Sequence, residues 1–263
     1  MLKYLLLLSL FSCASPFVVS VSSLSIKDEH VVYDYKDTSG EMLMEKVVKY
    51  KDKKVITSRK LYNNNLSNKK MLERSVTVSE LGLLTVGERQ TPLLRPFVSQ
   101  YTVWFDGKEY FTQMKLNKVK KSLDILLKSP EEKWNGTKTI QFPTGIHFCF
   151  FSQVVECLKS TGFFKQAIEQ KAGSLDLVII WDTYPYFSEI YANLNEEVFS
   201  AATIKYETED INKKKDDKVH HFSLDVNEQL ILYEFNEKYE FEKFYWIAQG
   251  VTMERKQRKP VER

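Results

Sequence analysis

Several residue types that mark common enzyme and scaffold classes are scarce in this chain. Glycine occurs nine times and proline seven times in 263 residues, and the glycines form neither a Walker phosphate loop nor a dinucleotide-binding fingerprint. No serine lies in a G-x-S-x-G nucleophile elbow. Three cysteines are too few for a disulfide-dense secreted module. These absences argue against nucleotide-binding enzymes, α/β-hydrolases and cysteine-rich modules.

An excess of charge of one sign is also lacking. The chain has 38 lysines and arginines against 35 aspartates and glutamates, a net charge of +3 at pH 7. Domains that bind nucleic acid usually carry a basic stripe well above neutrality. We therefore expect no nucleic-acid partner.

Candidate metal ligands and acid-base groups are few. Four histidines are present: His30, His147, His220 and His221. Neighbouring residues on a strand point to opposite faces, so the last two cannot both ligate one metal ion from a regular strand. Asp176 and Asp182 would lie about 20 Å apart on a strand, too far for a two-carboxylate mechanism, and we interpret them as charges at the strand ends. We expect no metal, no cofactor and no enzymatic activity.

The first 13 residues are typical of a signal peptide, which predicts export. One cation, Lys3, precedes an apolar run from Tyr4 to Phe11 and then several small residues. This run is much shorter than the roughly 20 residues of a membrane-spanning helix. Two outcomes of export stay open for Cys13: ordinary cleavage removes it, or the stretch Leu10-Phe11-Ser12-Cys13, which resembles a bacterial lipobox, makes it a lipid anchor. The alternative to export is that the apolar start is a buried first strand.

Aromatic residues, in contrast, are abundant. Tyrosine occurs 14 times and phenylalanine 17 times, and both favour pleated, half-buried surfaces. The dipeptide Asp106-Gly107 suits a tight hairpin turn, whereas residues 118–136 are lysine-rich and then loop-like, ending in "KSPEEKWNG". Alternating apolar and polar positions predict strands at 30–35, 42–50, 55–62, 73–80, 97–105, 109–117, 175–181, 186–192, 197–208, 221–226, 230–235 and 239–247.

The predicted fold class is therefore mainly β. We expect a curved antiparallel meander or open half-barrel over residues 26–254, with one central helix packed on it. The last residues, 255–263, contain five cations and predict a frayed basic tail. The scarcity of glycine and proline predicts long strands joined by charged turns.

The middle of the chain breaks the alternating pattern. Ile146, Phe150, Val154 and Leu158 are spaced by four residues, and Gly162 follows, which predicts a helix over 146–159. The alternative is a buried strand in "HFCFF" followed by a short helix. A further helical turn is predicted at 163–170.

Cys149 and Cys157 lie in this segment. On a continuous helix their Cα atoms would be about 12 Å apart, beyond the roughly 4.4–6.8 Å that a disulfide spans. We expect two buried free thiols, unless the chain bends between them.

Two phrases of the sequence carry a resemblance to a known family. They are "FPTGIHFCFFSQVVECLK", in which Pro143-Thr144-Gly145 precedes the predicted helix, and "HFSLDVNEQLILYEFNEKYEFEK", with a polar turn at 225–228. Together with the signal peptide and the aromatic-rich meander, they resemble a family of bacterial envelope proteins of unknown function, built as open half-barrels like the lipoprotein carriers LolA and LolB. The resemblance covers roughly residues 30–250. It implies an apolar concave face, partly covered by helix, that takes an acyl chain.

Aromatic and aliphatic residues of the middle segment are the candidate cavity lining, with ordinary core packing as the alternative. They are Phe148, Phe150, Phe151, Val154, Leu158, Phe163 and Phe164. The first hypothesis is a non-catalytic envelope protein, periplasmic or anchored to the membrane through a lipid on Cys13, that binds a lipid-like or apolar molecule. The alternative is an envelope scaffold or protein-interaction protein with a self-filled β core. Secretion is the alternative location.

Overall fold

The computed structural model of the protein describes residues 27–64, 69–86, 89–191, 197–212 and 217–258. The predicted signal peptide and Cys13 lie outside these residues. As the alternating pattern predicts, the fold is mainly β, with a single 15-stranded sheet. The strands are β1 (Glu29–Asp37), β2 (Gly40–Lys51), β3 (Lys54–Asn63), β4 (Met71–Val86), β5 (Arg89–Phe105), β6 (Lys108–Asn117), β7 (Ser122–Lys128), β8 (Gly136–Gln141), β9 (Phe148–Phe150), β10 (Ser174–Ile180), β11 (Phe199–Asn212), β12 (Asp217–Val226), β13 (Gln229–Asn236), β14 (Phe241–Trp246) and β15 (Val251–Arg258).

The sheet is an open meander. Its order is β8-β7-β6-β5-β4-β3-β2-β1-β15-β14-β13-β12-β11-β10-β9, so the first and last strands meet in its middle and β8 and β9 form its edges. Neighbouring strands are antiparallel except β9 and β10, which are parallel. The predicted antiparallel meander is confirmed. Several strands are long, as the scarcity of glycine and proline predicts: β4 has 16 residues and β5 has 17.

Three short α-helices occur in the described ranges. They are α1 (Val154–Ser160), α2 (Phe163–Gln170) and α3 (Phe187–Ile190). Gly162 separates the first two with a φ of 75°, a left-handed conformation that glycine adopts without steric cost. The helices α1 and α2 contact strands from both halves of the sheet: Glu156 of α1 pairs with β2, and Phe164 of α2 packs on β12 and β13. The sheet therefore curves around them.

The middle segment follows the second of its two predicted alternatives. The strand β9 leads into a 3₁₀ turn, Phe151–Gln153, and α1 begins only at Val154. The expectation of free thiols is wrong, because this turn bends the chain. Cys149 and Cys157 form a disulfide with their Cα atoms 5.9 Å apart.

Removing this disulfide is expected to cost stability. In the Cys149→Ser/Cys157→Ser variant, the unfolded chain regains the freedom of a short closed loop, which corresponds to about 2.5 kcal/mol in the free energy of unfolding. Denaturant titration measures the loss. A reductant should lower the midpoint of the wild type and leave that of the double variant unchanged; equal midpoints for the two oxidised proteins would contradict the prediction.

The C-terminal boundary is corrected by the structure. The predicted tail at 255–263 begins inside β15, which extends to Arg258. Arg255 is only 10% exposed and forms ion pairs with Glu29, Glu240 and Glu242 at 3.1–3.2 Å. Three carboxylates from outside this end of the chain, one of them 226 residues away, therefore stabilise a cation in the sheet, so the composition of this end gives no sign of a strand.

Two internal segments differ from the prediction. Of the predicted strand at 186–192, the described residues 186–191 form the end of a turn and α3. The lysine-rich and then loop-like residues 118–136, where no strand is predicted, contain β7, in which Leu123, Ile125 and Leu127 alternate into the core. Lysines before this strand obscured its two-residue period.

Candidate functional site

The seven predicted lining residues do not share one cavity. Four are fully buried in the core: Phe150, Leu158, Phe163 and Phe164. Two border a small interior pocket: Phe151 and Val154. Phe148 lines a groove that opens to solvent. The concave face of the sheet is thus largely filled by the side chains of the protein itself.

A buried polar cluster joins the middle segment to the sheet. Asp182, which follows β10, accepts hydrogen bonds from the backbone N–H of Ser152 at 3.1 Å and from the Ser152 hydroxyl. The hydroxyl of Thr77 on β4 donates to the same carboxylate at 3.2 Å. Burial raises the pKa of Asp182, and the hydrogen bonds from Ser152 oppose that shift. Asp182 lies two residues beyond the end of β10, close to the predicted strand end, and the structure adds that it is buried.

Gln153 fixes the same segment to two strands. Its Nε2 donates to the Thr57 hydroxyl at 2.9 Å and to the Thr77 carbonyl at 3.0 Å. Its Oε1 accepts from the Ser79 hydroxyl at 2.6 Å. Since Gln153 and these partners are buried, the contacts hold the start of α1 against β3 and β4 rather than face a substrate.

The interior pocket is too small for an acyl chain. Its volume is about 60 Å³, whereas ligand pockets typically span roughly 300–1,000 Å³. Lys46, Arg59 and the rings of Tyr35, Tyr191 and Tyr233 border it. A lipid-like ligand therefore has no room in this pocket, which lies among described residues of the half-barrel.

The groove is larger and lies beside a projecting hairpin. Beyond Glu80, β4 pairs with β5 alone, and β5 pairs with β6 only from Val98 onward. The end of β4 and the start of β5 thus form a hairpin that extends past the neighbouring strands β3 and β6. Between it and the segment 142–148 lies a space of about 770 Å³.

Apolar side chains from both walls line the groove. Its main apolar residues are Leu83, Leu93, Leu116, Phe142, Ile146 and Phe148. Two of them are notably open to solvent, Ile146 at 59% and Leu83 at 45% exposure. An apolar recess with exposed aliphatic side chains is typical of a binding surface.

The segment 142–148 is held in place by close contacts. A Cβ on Gly145 would lie 3.1 Å from Val178 Cγ2 and 3.2 Å from Phe148 Cζ, so only glycine fits without a shift. The rings of Phe142 and Phe148 meet edge to face at 5.0 Å. The backbone N–H of Phe142 donates to the Lys121 carbonyl at 3.1 Å. The Pro143-Thr144-Gly145 phrase therefore builds one wall of the groove.

Cationic side chains stand at the mouth of the groove. Arg95, Lys118 and Lys121 border it, together with one carboxylate, Glu80. Lys118 forms an ion pair with Glu80. The groove thus combines an apolar lining with a basic edge, which suits an amphipathic molecule that has an anionic head.

Sequence reasoning found one wall of this groove and missed the other. Phe148 and Pro143-Thr144-Gly145 belong to segments already singled out, but residues 81–96 fall between two predicted strands. The apolar stretches "LGLL" (81–84) and "PLL" (92–94) are the sequence features that could have indicated this second wall.

The described ranges have neither a metal-ligand cluster nor a membrane-spanning helix. They contain no group of three or more histidine, cysteine, aspartate or glutamate residues placed to hold a metal ion. No helix in them is long and apolar enough to cross a membrane. In comparisons with known proteins, the chain matches no family model, no curated protein and no solved structure.

Proposed function

We propose that the protein is a non-catalytic, exported binding protein that holds a lipid-like molecule in the groove beside the β4–β5 hairpin. The observation that carries the proposal is the solvent-open apolar groove of about 770 Å³, which lies within the usual range of ligand sites. The cations at its mouth complement an anionic head group. This location replaces the middle of the half-barrel, which core side chains occupy.

The disulfide supports the export part of the proposal. Disulfides persist in oxidising compartments such as the periplasm and the extracellular space and are rare in the reducing cytosol. Cys149 and Cys157 are both buried and lie next to the groove segment. The signal-peptide pattern at residues 1–13 points to the same compartment, with either removal or lipidation of Cys13.

The packing of the concave face favours a second candidate function. Phe150, Leu158 and Phe164 are each 1% exposed, so the half-barrel needs no ligand to complete its core. This observation suits an envelope scaffold that contacts other proteins through its surface. The two functions differ in whether the groove binds an acyl chain.

Binding of a fluorescent fatty acid tests the proposed function. We expect saturable binding to the wild type, and we expect Ile146→Asp to weaken it about tenfold or more, because the variant places a charge where Ile146 offers an apolar contact. Ile247→Asp is the matched control, since Ile247 is 68% exposed and lies outside the groove. Its affinity should equal that of the wild type.

Native mass spectrometry of the exported protein, purified without detergent, gives a complementary result. A reproducible added mass in the range of a fatty acid or phospholipid would identify the ligand class. An unliganded mass, together with no saturable binding of the fluorescent fatty acid, would favour the scaffold function instead.

A further inference from the structure

Two lysine-rich turns and the edge of the groove lie side by side. The turn between β2 and β3 contacts β4 through the Leu81 N–H, which donates to the Lys53 carbonyl at 2.7 Å. On the outer side of β5, the ring of Phe97 lies 5.3 Å from the Lys54 ammonium and 5.5 Å from that of Lys118. The turn between β6 and β7 reaches the other wall through Lys121 and Phe142.

These elements concentrate positive charge in one region of a nearly neutral chain. We call this region the basic rim. Its cations are Lys51, Lys53, Lys54, Arg95, Lys118, Lys120 and Lys121. The same turns and adjoining strand ends contribute two carboxylates, Asp52 and Glu80. All of these cations except Lys54 are exposed.

Aliphatic side chains project between the cations. Val119 is 94% exposed, with Lys118 and Lys120 on either side of it. Ile146 and Leu83 stand exposed in the adjoining groove. In water these aliphatic side chains make no stabilising apolar contact. At a bilayer they can enter the boundary between head groups and acyl chains, and the lysines can contact the anionic phosphates.

We propose that the basic rim docks on an anionic phospholipid bilayer and turns the mouth of the groove toward its surface. The inference rests on the proposed lipid-binding function and extends it, since the bilayer would be the source or destination of the bound lipid. The charge complementarity and the exposed Val119 together specify this partner. Nucleic acid would share the phosphate contacts, but it offers an exposed aliphatic side chain only isolated groups such as thymine methyls, whereas a bilayer offers a continuous acyl layer.

Vesicle co-sedimentation tests the docking. The protein is prepared without lipid on Cys13, verified by intact mass, so that no anchor contributes. We expect binding to vesicles of phosphatidylcholine mixed with phosphatidylglycerol and at least about tenfold weaker binding to phosphatidylcholine alone, with a decrease as salt rises.

Variants of the rim separate docking from the groove. Lys51→Gln/Lys53→Gln/Lys120→Gln removes three charges that do not line the groove, and each contributes about fivefold to the affinity for an anionic surface. Val119→Gln removes the exposed aliphatic group. We expect the triple variant to bind anionic vesicles at least about tenfold more weakly than the wild type, and Val119→Gln about threefold more weakly. Both variants should keep the fatty-acid affinity of the wild type.

A matched charge control lies elsewhere on the surface. Lys165→Gln/Lys171→Gln/Lys205→Gln removes the same charge from α2 and its surroundings, where these side chains are 54–65% exposed. Its vesicle binding should equal that of the wild type. An equal loss in both triple variants would overturn the proposal, because it would reflect net charge rather than the rim.

The remaining outcomes are also decisive. Equal binding to neutral and anionic vesicles, or duplex DNA bound in preference to anionic vesicles, would overturn the docking. If the wild type binds anionic vesicles through the rim but binds no fatty acid, the docking stands and the groove function fails.

Discussion

Replacing Lys46 with methionine is expected to lower the free energy of unfolding by about 3 kcal/mol. Lys46 and Glu156 are buried, and the Lys46 ammonium lies 2.7 Å from Glu156 Oε1. Methionine keeps most of the side-chain volume but leaves the Glu156 carboxylate buried without its partner, and breaking such a pair typically costs about 3–5 kcal/mol. Lys159, which interacts electrostatically with Glu156, limits the loss to the lower end of that range.

Two further variants show that the effect comes from the buried pair. Lys256→Met breaks an ion pair with Asp34 at 2.9 Å, but both side chains are more than half exposed, so its cost should stay below about 1 kcal/mol. In Lys46→Met/Glu156→Leu, no charge is left unpaired, and most of the lost stability should return. Urea titration of the four proteins measures these differences. A double variant as unstable as Lys46→Met alone would show that lost packing, and not the unpaired carboxylate, causes the effect.

Lys46 also illustrates what the sequence could predict about the strands. The two-residue period of "MLMEKVVKY" correctly predicts β2 and places Met42, Met44 and Val48 on the inner face. The same period places Lys46 among them. Its partner Glu156 follows 110 residues later on a helix, so the alternation predicts the inward position but cannot predict the charge that stabilises it.

The groove was less predictable for a similar reason. A bulge on β5, where the register shifts and leaves Phe97 without a direct partner on β4, lies at the base of the projecting part of the hairpin. A bulge arises from the pairing of two strands and has no fixed sequence signature. The phrase around Gly145 was recognisable as a special segment, but its opposite wall depends on this pairing. Likewise, the disulfide depends on the bend at 151–153, which the four-residue spacing of apolar residues conceals.

Phe164→Ala is expected to lower the free energy of unfolding by about 3–5 kcal/mol. The ring of Phe164 is 1% exposed and lies 4.9 Å from that of Phe222 and 4.3 Å from that of Phe235. Truncation removes the burial of an aromatic ring and leaves a cavity between α2 and the strands β12 and β13, and such changes cost about 3–5 kcal/mol. Thermal or urea unfolding measures the loss.

A comparison with Phe148→Ala separates the core from the proposed site. Phe148 is half-buried in the wall of the groove, so its truncation should cost less stability but weaken fatty-acid binding. Phe164→Ala should behave in the opposite way, with reduced stability and unchanged affinity in the folded fraction, because Phe164 does not line the groove. If Phe164→Ala instead weakened fatty-acid binding at a temperature where the protein stays folded, the ligand would have to enter the half-barrel between α2 and the sheet. That result would return the site to the concave face and would require the helices to move when the ligand binds.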